Sequence, residues 1–547
     1  MQSVQTSDIM RYFPLKEPRK AQVTALQFVE DAISKGFRDI VIEAPTGVGK
    51  SAIACTIAAW SKKHVALDAV NFKPGSFVLV HQKVLQDQLE AELDRLAGTE
   101  KAALIKSSVE YPCQAFKRCS VGLVDHRCDQ PAAGACAYRN AKRRFIDATV
   151  AVTNYAYFFT ERLFSGKIPP RQGLVLDESH GLAKVILGFV GVKIAEASLD
   201  KFAPDIDAKA LRDIASMADL SAWMVSDYIP AVHAQAELMA SLSDGDEKIA
   251  KEAHDVMQHY LRIADFGEKK DKSDWIFWKE DDKDGKATLN AKPLHVGPYF
   301  SELVEAAAPF RVYMSAYLGP KAVFCREIGL DPKRVAWLRL GSPFEPSKRK
   351  VYLLDIGSMA RKSQEATLPA MLRTVAKIVT QFNARGAPRG IIHTQSYVLA
   401  DKIHAALAGN FGPRLVYPRN ADEREDALKR AAAAEGSILI SPSVGEGFDF
   451  RGDLARWQII CKAPWASLGD KHTAAMADRD PDWYRNEAVK GFIQMCGRIC
   501  RSEDDHGVTY VLDTDARRLV ERSRDELPRW FRVALLNPDG SAIFTEQ

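Results

Sequence analysis

Residues 38–60, RDIVIEAPTGVGKSAIACTIAAW, decide how this chain folds. The run IVIEA is short, apolar and rich in β-branched residues, which predicts a strand, and KSAIACTIAAW suits a mostly buried helix. Between them APTGVGKS matches a phosphate-binding loop, with Ala44 where the general pattern has its first glycine. Gly47 and Gly49, with Thr46 and Val48, form a turn whose backbone N–H groups face the β- and γ-phosphates of a nucleotide. Lys50 adds a point charge there, and the Ser51 hydroxyl is a magnesium ligand. The same residues in a bare strand-to-helix turn would need no lysine at this place. A strand, loop and helix of this kind predict a parallel α/β sheet with its ligand at the carboxyl ends of the strands.

Working outward, QGLVLDESH (172–180) reads as a second strand of that sheet, ending in Asp177 and Glu178. Asp177 would hold magnesium through water, and Glu178 would orient and deprotonate the attacking water. An acidic pair after a strand is weak on its own; beside the phosphate loop it implies nucleotide hydrolysis. The C-terminal third repeats the pattern. VYLLDIG (351–357), GIIHTQS (390–396), SILISPS (437–443), RWQIICKAP (456–464) and GVTYVLDTD (507–515) predict a second parallel sheet from about residue 345. Near its end, a helix starting at RNEAVKGF (485–492) would bring Gln494, Arg498 and Arg501 onto one face. Arginines on one lobe that reach a γ-phosphate on the other raise rates by about 10³–10⁵ and make hydrolysis depend on lobe closure.

The chain has 547 residues, 46% of them hydrophobic and 27% charged, with a net charge of +4. That length predicts roughly three or four domains, and so small a net charge names no partner. The N-terminus lacks the apolar stretch of a secretory signal, and no run approaches the roughly 18 apolar residues of a membrane span. A reducing cytosol is therefore expected, where clustered cysteines bind metal more often than they pair. Cys113, Cys119, Cys128 and Cys136 crowd the basic segment SVEYPCQAFKRCSVGLVDHRCDQPAAGACAYRNAKRR (108–144). Four thiolates suit a [4Fe–4S] cluster, and their spacing lacks the Cys-x₂-Cys knuckles of most structural zinc sites. The residues alone leave iron–sulfur, zinc and unligated thiols open.

The motifs EAPTGVGKS, LDESH, YMSAYL, SVGEGFDFRG, CKAPWASLGD and QMCGRICR occur in this order. Together they resemble the superfamily 2 helicases, and specifically the DinG/XPD group of iron–sulfur helicases, from about Arg19 to Leu527. Ser179 in place of the commoner alanine is a small-for-small change. Tyr317 stands where the family has threonine, a larger change that bears on coupling between hydrolysis and movement. The resemblance implies that Arg19 and Gln22 read adenine, that Ser315 and Ala316 belong to the coupling motif, and that Gly447 and Asp449 bridge nucleotide and nucleic acid. It places His81, Gln82 and Lys83 where the first lobe touches the strand backbone. It also assigns the four thiols to an iron–sulfur domain forming a rigid rim for one strand.

The fold class expected is α/β, with two RecA-like parallel-sheet motor lobes and two insertions in the first. Lobe 1 would comprise 1–106, 141–184 and 306–344, interrupted by an iron–sulfur segment at 107–140 and a mostly helical arch at 185–305. Lobe 2 would run over 345–547. In the arch, DWIFWKEDDKDGKATLNAKPL (274–294) reads as a β-hairpin around an Asp-Gly turn, and His254 and His259 read as solvated or capping residues. Cys55, Cys325, Cys461, Cys496 and Cys500 read as core packing. Arg139, Lys142, Arg143 and Arg144 are a solvated helix face or a phosphate track. Asn154, Tyr155, Tyr157, Phe158 and Phe159 read mainly as packing, with one or two aromatics available to stack bases.

The resemblance implies an ATP-dependent DNA helicase moving 5′→3′, using ATP, Mg²⁺ and a [4Fe–4S] cluster. Its partners would be single-stranded DNA and tailed or forked duplexes, with RNA–DNA hybrids as a further substrate and a monomer acting on DNA. Two rivals remain in view: a single-strand translocase without strong unwinding, and an ATP-gated binding subunit of a larger complex. Intact Lys50, Glu178 and Arg498 speak against the second.

Overall fold

The runs of β-branched residues do form strands. β1 (Asp39–Glu43), β2 (Lys73–Val80), β3 (Ala102–Leu104), β4 (Val150–Asn154) and β5 (Arg171–Leu176) precede a three-stranded insertion. The insertion holds β6 (Val192–Ala195), β7 (Trp275–Asp281) and β8 (Ala287–Pro293), after which β9 (Phe310–Ser315) and β10 (Val335–Arg339) return to the first sheet. The computed structural model describes residues 8–64, 71–81, 95, 100–112, 136–165, 168–243, 246–268, 271–420, 422–442, 452–500 and 505–545.

The first sheet is parallel throughout, in the order β10-β1-β9-β5-β2-β4-β3. Because successive strand residues point to opposite faces, β1 divides its side chains between two cores. Ile40 and Ile42 join Val78, Val80, Val152, Val175, Val312 and Met314 under helix Lys50–His64. Val41 packs with Phe77, Leu79, Leu174, Leu176 and Tyr313 on the other face, in a core continuous with the insertion. Strands buried on both faces explain why no polar alternation is visible in these segments.

The second sheet contains β11 (Arg349–Gly357), β12 (Gly390–His393), β13 (Leu415–Val416), β14 (Ile438–Ser441), β15 (Trp457–Ile460), β16 (Gly507–Asp513) and β17 (Leu535–Leu536). Its order is β13-β14-β12-β15-β16-β11-β17, again parallel. All five strands expected here are present, and the two-residue β13 and β17 were too short to leave a pattern.

In the insertion, β7 and β8 pair antiparallel from Trp275↔Pro293 to Asp281↔Ala287, as the Asp-Gly turn predicts. Gly285 takes φ 72° there, a left-handed conformation that costs glycine nothing. The third strand, β6, pairs with β8 and was not foreseen. His259 is neither solvated nor a cap, contrary to expectation: its ring stacks 4.2 Å from that of Phe202, and its Nε2 lies 2.9 Å from Tyr228 Oη. Burial lowers its pKa to about 4. Cys55, Cys325, Cys461, Cys496 and Cys500 are buried free thiols, as expected for packing residues. Among the described residues no helix is long and apolar enough to cross a membrane.

The lobes dock through helix Lys321–Ile328 of the first and helix Pro481–Cys496 of the second. Arg326 meets Asp480 through two bonds of 2.6 and 2.8 Å. Deeper in, Lys490 Nζ lies 3.3 Å from Glu327 Oε2 and also pairs with Glu487, while Trp483 Nε1 donates to Glu327 Oε1 at 3.1 Å. Burial disfavours the Lys490 charge, but the two carboxylates outweigh it and raise its pKa. Removing one partner of a buried pair leaves an uncompensated charge, so Lys490→Met is expected to destabilise the protein by about 3–5 kcal/mol. Denaturant unfolding of Lys490→Met beside the double variant Lys490→Met/Glu327→Gln checks this. The double variant should recover part of the loss; a single variant as stable as wild type would contradict the role given to the pair.

Candidate active site

The phosphate loop leaves β1 at Glu43 and enters helix Lys50–His64. Gly47 and Gly49 take φ 87° and 88°, values that few side-chain-bearing residues adopt. Space is also restricted: a Cβ at residue 47 would fall 2.0 Å from Phe344 Cζ, and one at residue 49 would fall 2.5 Å from Gln22 Nε2. Arg19 donates its backbone N–H to Gln22 Oε1 at 2.9 Å, and its guanidinium donates to the Gly47 carbonyl. The expected adenine-reading pair therefore lies against the loop itself. Ser51 is exposed at the start of the helix, whereas Val48 is fully buried and anchors the loop.

Asp177 and Glu178 follow directly on β5, beside β2 and β9. Lys50 Nζ donates to Glu178 Oε1 at 2.6 Å, joining residues 128 positions apart. His180 Nδ1 lies 3.3 Å from Glu178 Oε2 and 3.1 Å from Ser315 Oγ. Burial works against the Glu178 charge, but Lys50 and His180 hold its carboxyl well below the usual range. Asp177 goes the other way: burial raises it to about 6 against the pull of Lys50. Glu178 stands in the left-handed region at φ 52°, strain of the kind that collects at functional sites. Ser179, buried, donates to the Met314 carbonyl at 3.1 Å, which shows what the small residue does here.

His81, at the end of β2, lies against the same segment; its ring centroid is 6.1 Å from that of His180. Gln82 and Lys83 lie outside the described residues, as do Gly447, Asp449, Arg501, Cys113, Cys119 and Cys128. Ser315 closes β9 in register with Glu43.

Lobe 2 reaches the loop through Gly497, where an added Cβ would lie 3.8 Å from Thr46 Oγ1. One expectation needs correction. The helix carrying Gln494 ends at Cys496, with Gly497 as its cap and a turn at Arg498, so Gln494 and Arg498 do not share a helical face. Arg498 instead lies near the carboxyl end of β12, where its charge helps burial lower the His393 pKa to about 4.

Cys136 is the described member of the cysteine group. It caps helix Ala137–Asp147, and its Sγ accepts the Arg139 N–H at 3.5 Å. The helix is anchored at the other end by Arg171, 1% exposed, which donates to the carbonyls of Phe145, Ile146, Ala148 and Pro74 at 2.6–3.1 Å. Lys142 does not track phosphate: its Nζ donates to Glu161 Oε2 at 2.6 Å, while Arg143 and Arg144 are exposed. Tyr155, Tyr157, Phe158 and Phe159 are all buried, so none of them offers a face to a base. Asn154 accepts the Tyr157 N–H at 2.8 Å as a cap.

Known proteins share this architecture. The helicase C-terminal domain family matches residues 381–534, and the family described as type III restriction enzyme, res subunit, matches residues 15–187. The ATP-dependent DNA helicase DinG of Photobacterium profundum is 24% identical over 516 residues, covering 76% of this chain and 72% of its own. The ATP-dependent DNA helicase YoaA of Escherichia coli is 23% identical over 618 residues, covering 94% and 93%. A solved XPD helicase structure superposes with a TM-score of 0.62 at 14% identity, covering 96% of this chain and 100% of that one. With two parallel-sheet lobes, the ordered motifs and these relatives, the chain is similar in sequence and fold to the DinG/XPD group of superfamily 2 helicases.

Proposed function

We propose that the protein is an ATP-dependent DNA helicase that moves along single-stranded DNA 5′→3′ and separates tailed or forked duplexes. The observation that carries this reading is a shared cleft: Lys50 and Glu178 meet at the edge of lobe 1, within reach of the lobe 2 turn at Gly497. Hydrolysis in such a cleft depends on how the lobes sit, and so can be converted into motion. DinG and YoaA, helicases by name, support DNA as the track.

In this reading Gly47, Val48, Gly49 and Thr46 cradle the phosphates, Arg19 and Gln22 receive the base, and Lys50 neutralises the terminal phosphates. Bound triphosphate competes with Glu178 for Lys50, which frees the Glu178 carboxylate to take a proton from water. Gln494, Arg498 and Arg501 complete the site from lobe 2, and Gly447 and Asp449 connect it to the strand. Ser51 and Asp177 present a hydroxyl and a carboxylate, hard oxygen donors that fit Mg²⁺, which when bound neutralises phosphate charge. Cys113, Cys119, Cys128 and Cys136 are four soft donors, one of them at a helix N-terminus, and fit a [4Fe–4S] cluster that staples the segment at 107–140. The protein acts in the cytoplasm as a monomer on DNA, with RNA–DNA hybrids as a second substrate.

Single-stranded DNA should accelerate orthophosphate release from ATP; equal rates with and without DNA would overturn the reading in favour of an ATP-gated binding subunit. Hydrolysis and movement without strand release would leave only a translocase. The exposed Arg143 and Arg144 are candidate phosphate contacts on helix Ala137–Asp147. Replacing both by glutamine should reduce DNA affinity and lower the slope of log K against log salt by about 1 to 2. Titration at several salt concentrations checks this, and an unchanged slope would remove them from the track.

A further inference from the structure

We infer that Glu43 and Arg339 are positioning residues that transmit the state of the phosphate loop to lobe 2 through the turn Tyr317–Gly319. The inference rests on the helicase reading and gives Glu43 and Arg339 a role that the motif assignments above leave unassigned. Glu43 is the last residue of β1 before the loop and is 1% exposed. It lies in register between Ser315 of β9 and Arg339 of β10. Its Oε1 accepts the N–H groups of Leu318 and Gly319 at 2.7 and 3.2 Å, and its Oε2 accepts from Arg339 Nε. Both oxygens of one buried carboxylate thus hold the turn. A charged acceptor makes such bonds stronger than neutral ones.

The far side of the turn belongs to lobe 2. Asn486 Nδ2 donates to the Leu318 carbonyl at 3.1 Å. Gly319, at φ 96°, passes so close that a Cβ would fall 2.0 Å from Asn486 Oδ1. Tyr317 is 1% exposed and packs in the lobe 2 core with Val489, Phe492 and Leu527. Its hydroxyl donates to the Glu526 carbonyl at 3.5 Å, and Arg339 Nη1 donates to the same carbonyl at 3.3 Å. The Arg339 guanidinium lies 5.8 Å from the Tyr317 ring centroid. One continuous set of bonds therefore runs from the residue before the phosphate loop to two segments of lobe 2. A tyrosine at position 317 gives the turn a grip that a threonine could not reach.

The test measures ATP KM, DNA-stimulated kcat and duplex released per ATP for wild type, Glu43→Gln and Asn486→Ala. Glutamine keeps the shape of Glu43 but presents an amide donor or a neutral oxygen to Arg339. Glu43→Gln should leave KM within about twofold and lower duplex released per ATP about tenfold. Asn486→Ala, a milder change on the lobe 2 side, should do the same to a smaller degree, and carries the test if Glu43→Gln fails to fold. The double variant should lose less than the product of the single losses, because both break one path. A parallel fall in hydrolysis and strand release at an unchanged ratio overturns the inference, as does a ratio equal to wild type. A wild-type protein without DNA-stimulated hydrolysis overturns the helicase reading and the relay with it, whereas coupled wild type with unaltered variants overturns the relay alone.

Discussion

Replacing Lys50 by alanine is expected to lower DNA-stimulated ATP hydrolysis by about 10²–10³-fold, the scale set by removing one preorganised charge at a reacting centre. Lys50 opens helix Lys50–His64, and its side chain is 13% exposed. Its ammonium meets the Glu178 carboxylate at 2.6 Å, so the substitution acts twice. It deletes the cation that neutralises developing phosphate charge, and it leaves the half-buried Glu178 with less to hold it ionised. Glu178→Gln separates the two effects: it should lose hydrolysis on a similar scale while binding ATP about as well as wild type. Orthophosphate release, with ATP binding measured in parallel, checks both variants. Hydrolysis by Lys50→Ala within about tenfold of wild type would place the chemistry elsewhere.

Substituting a cysteine should produce the opposite division. Cys113→Ser and Cys136→Ser are expected to keep ATPase within about threefold of wild type but to lose duplex unwinding about tenfold or more. The reason lies in how the segment is tied down. Helix Ala137–Asp147 is held to lobe 1 by Arg171 at one end and by Lys142–Glu161 and Tyr138–Tyr157 along its length. These bonds do not involve thiols, so the sheet carrying Lys50 and Glu178 should survive their loss. On the proposed function, what goes is the cluster that would staple residues 107–140. Iron and sulfide content of wild type and variants provides a readout independent of activity. Stoichiometric zinc in the wild type would replace the cluster assignment, and normal unwinding by either variant would remove the role of the thiols.

Much of the motor was legible because its signals are local. A glycine-bearing loop between an apolar strand and a helix, and an acidic pair after a second strand, each fit within ten or so residues. The structure brings Lys50 and Glu178 together as that pattern implies. Strand detection named β1, β5, the β7–β8 hairpin and the five longer strands of the second sheet; it passed over β2, β3, β4, β6, β9 and β10, and the two-residue β13 and β17. The helix end at Cys496 was misjudged because the side-chain periodicity that predicts the helix continues past Gly497, where the backbone turns out of it. Lys142 looked like part of a basic run, since its partner Glu161 lies 19 residues on and one helix away.

Phe344 over Gly47, and the Glu43–Arg339 pair spanning 296 residues, had no local mark. An acidic residue ending an otherwise apolar strand was the available sign for Glu43. A buried carboxylate demands compensation, though nothing in the sequence says from where.

Strand release from a 5′-tailed duplex, followed together with ATP consumption, tests most directly whether the cleft between the lobes drives DNA separation. Wild type should release the strand only with hydrolysable ATP and should fail on the matching 3′-tailed duplex, while Lys50→Ala releases nothing. Release that continues without hydrolysis, or ATP consumption on DNA with neither duplex opened, would contradict the account.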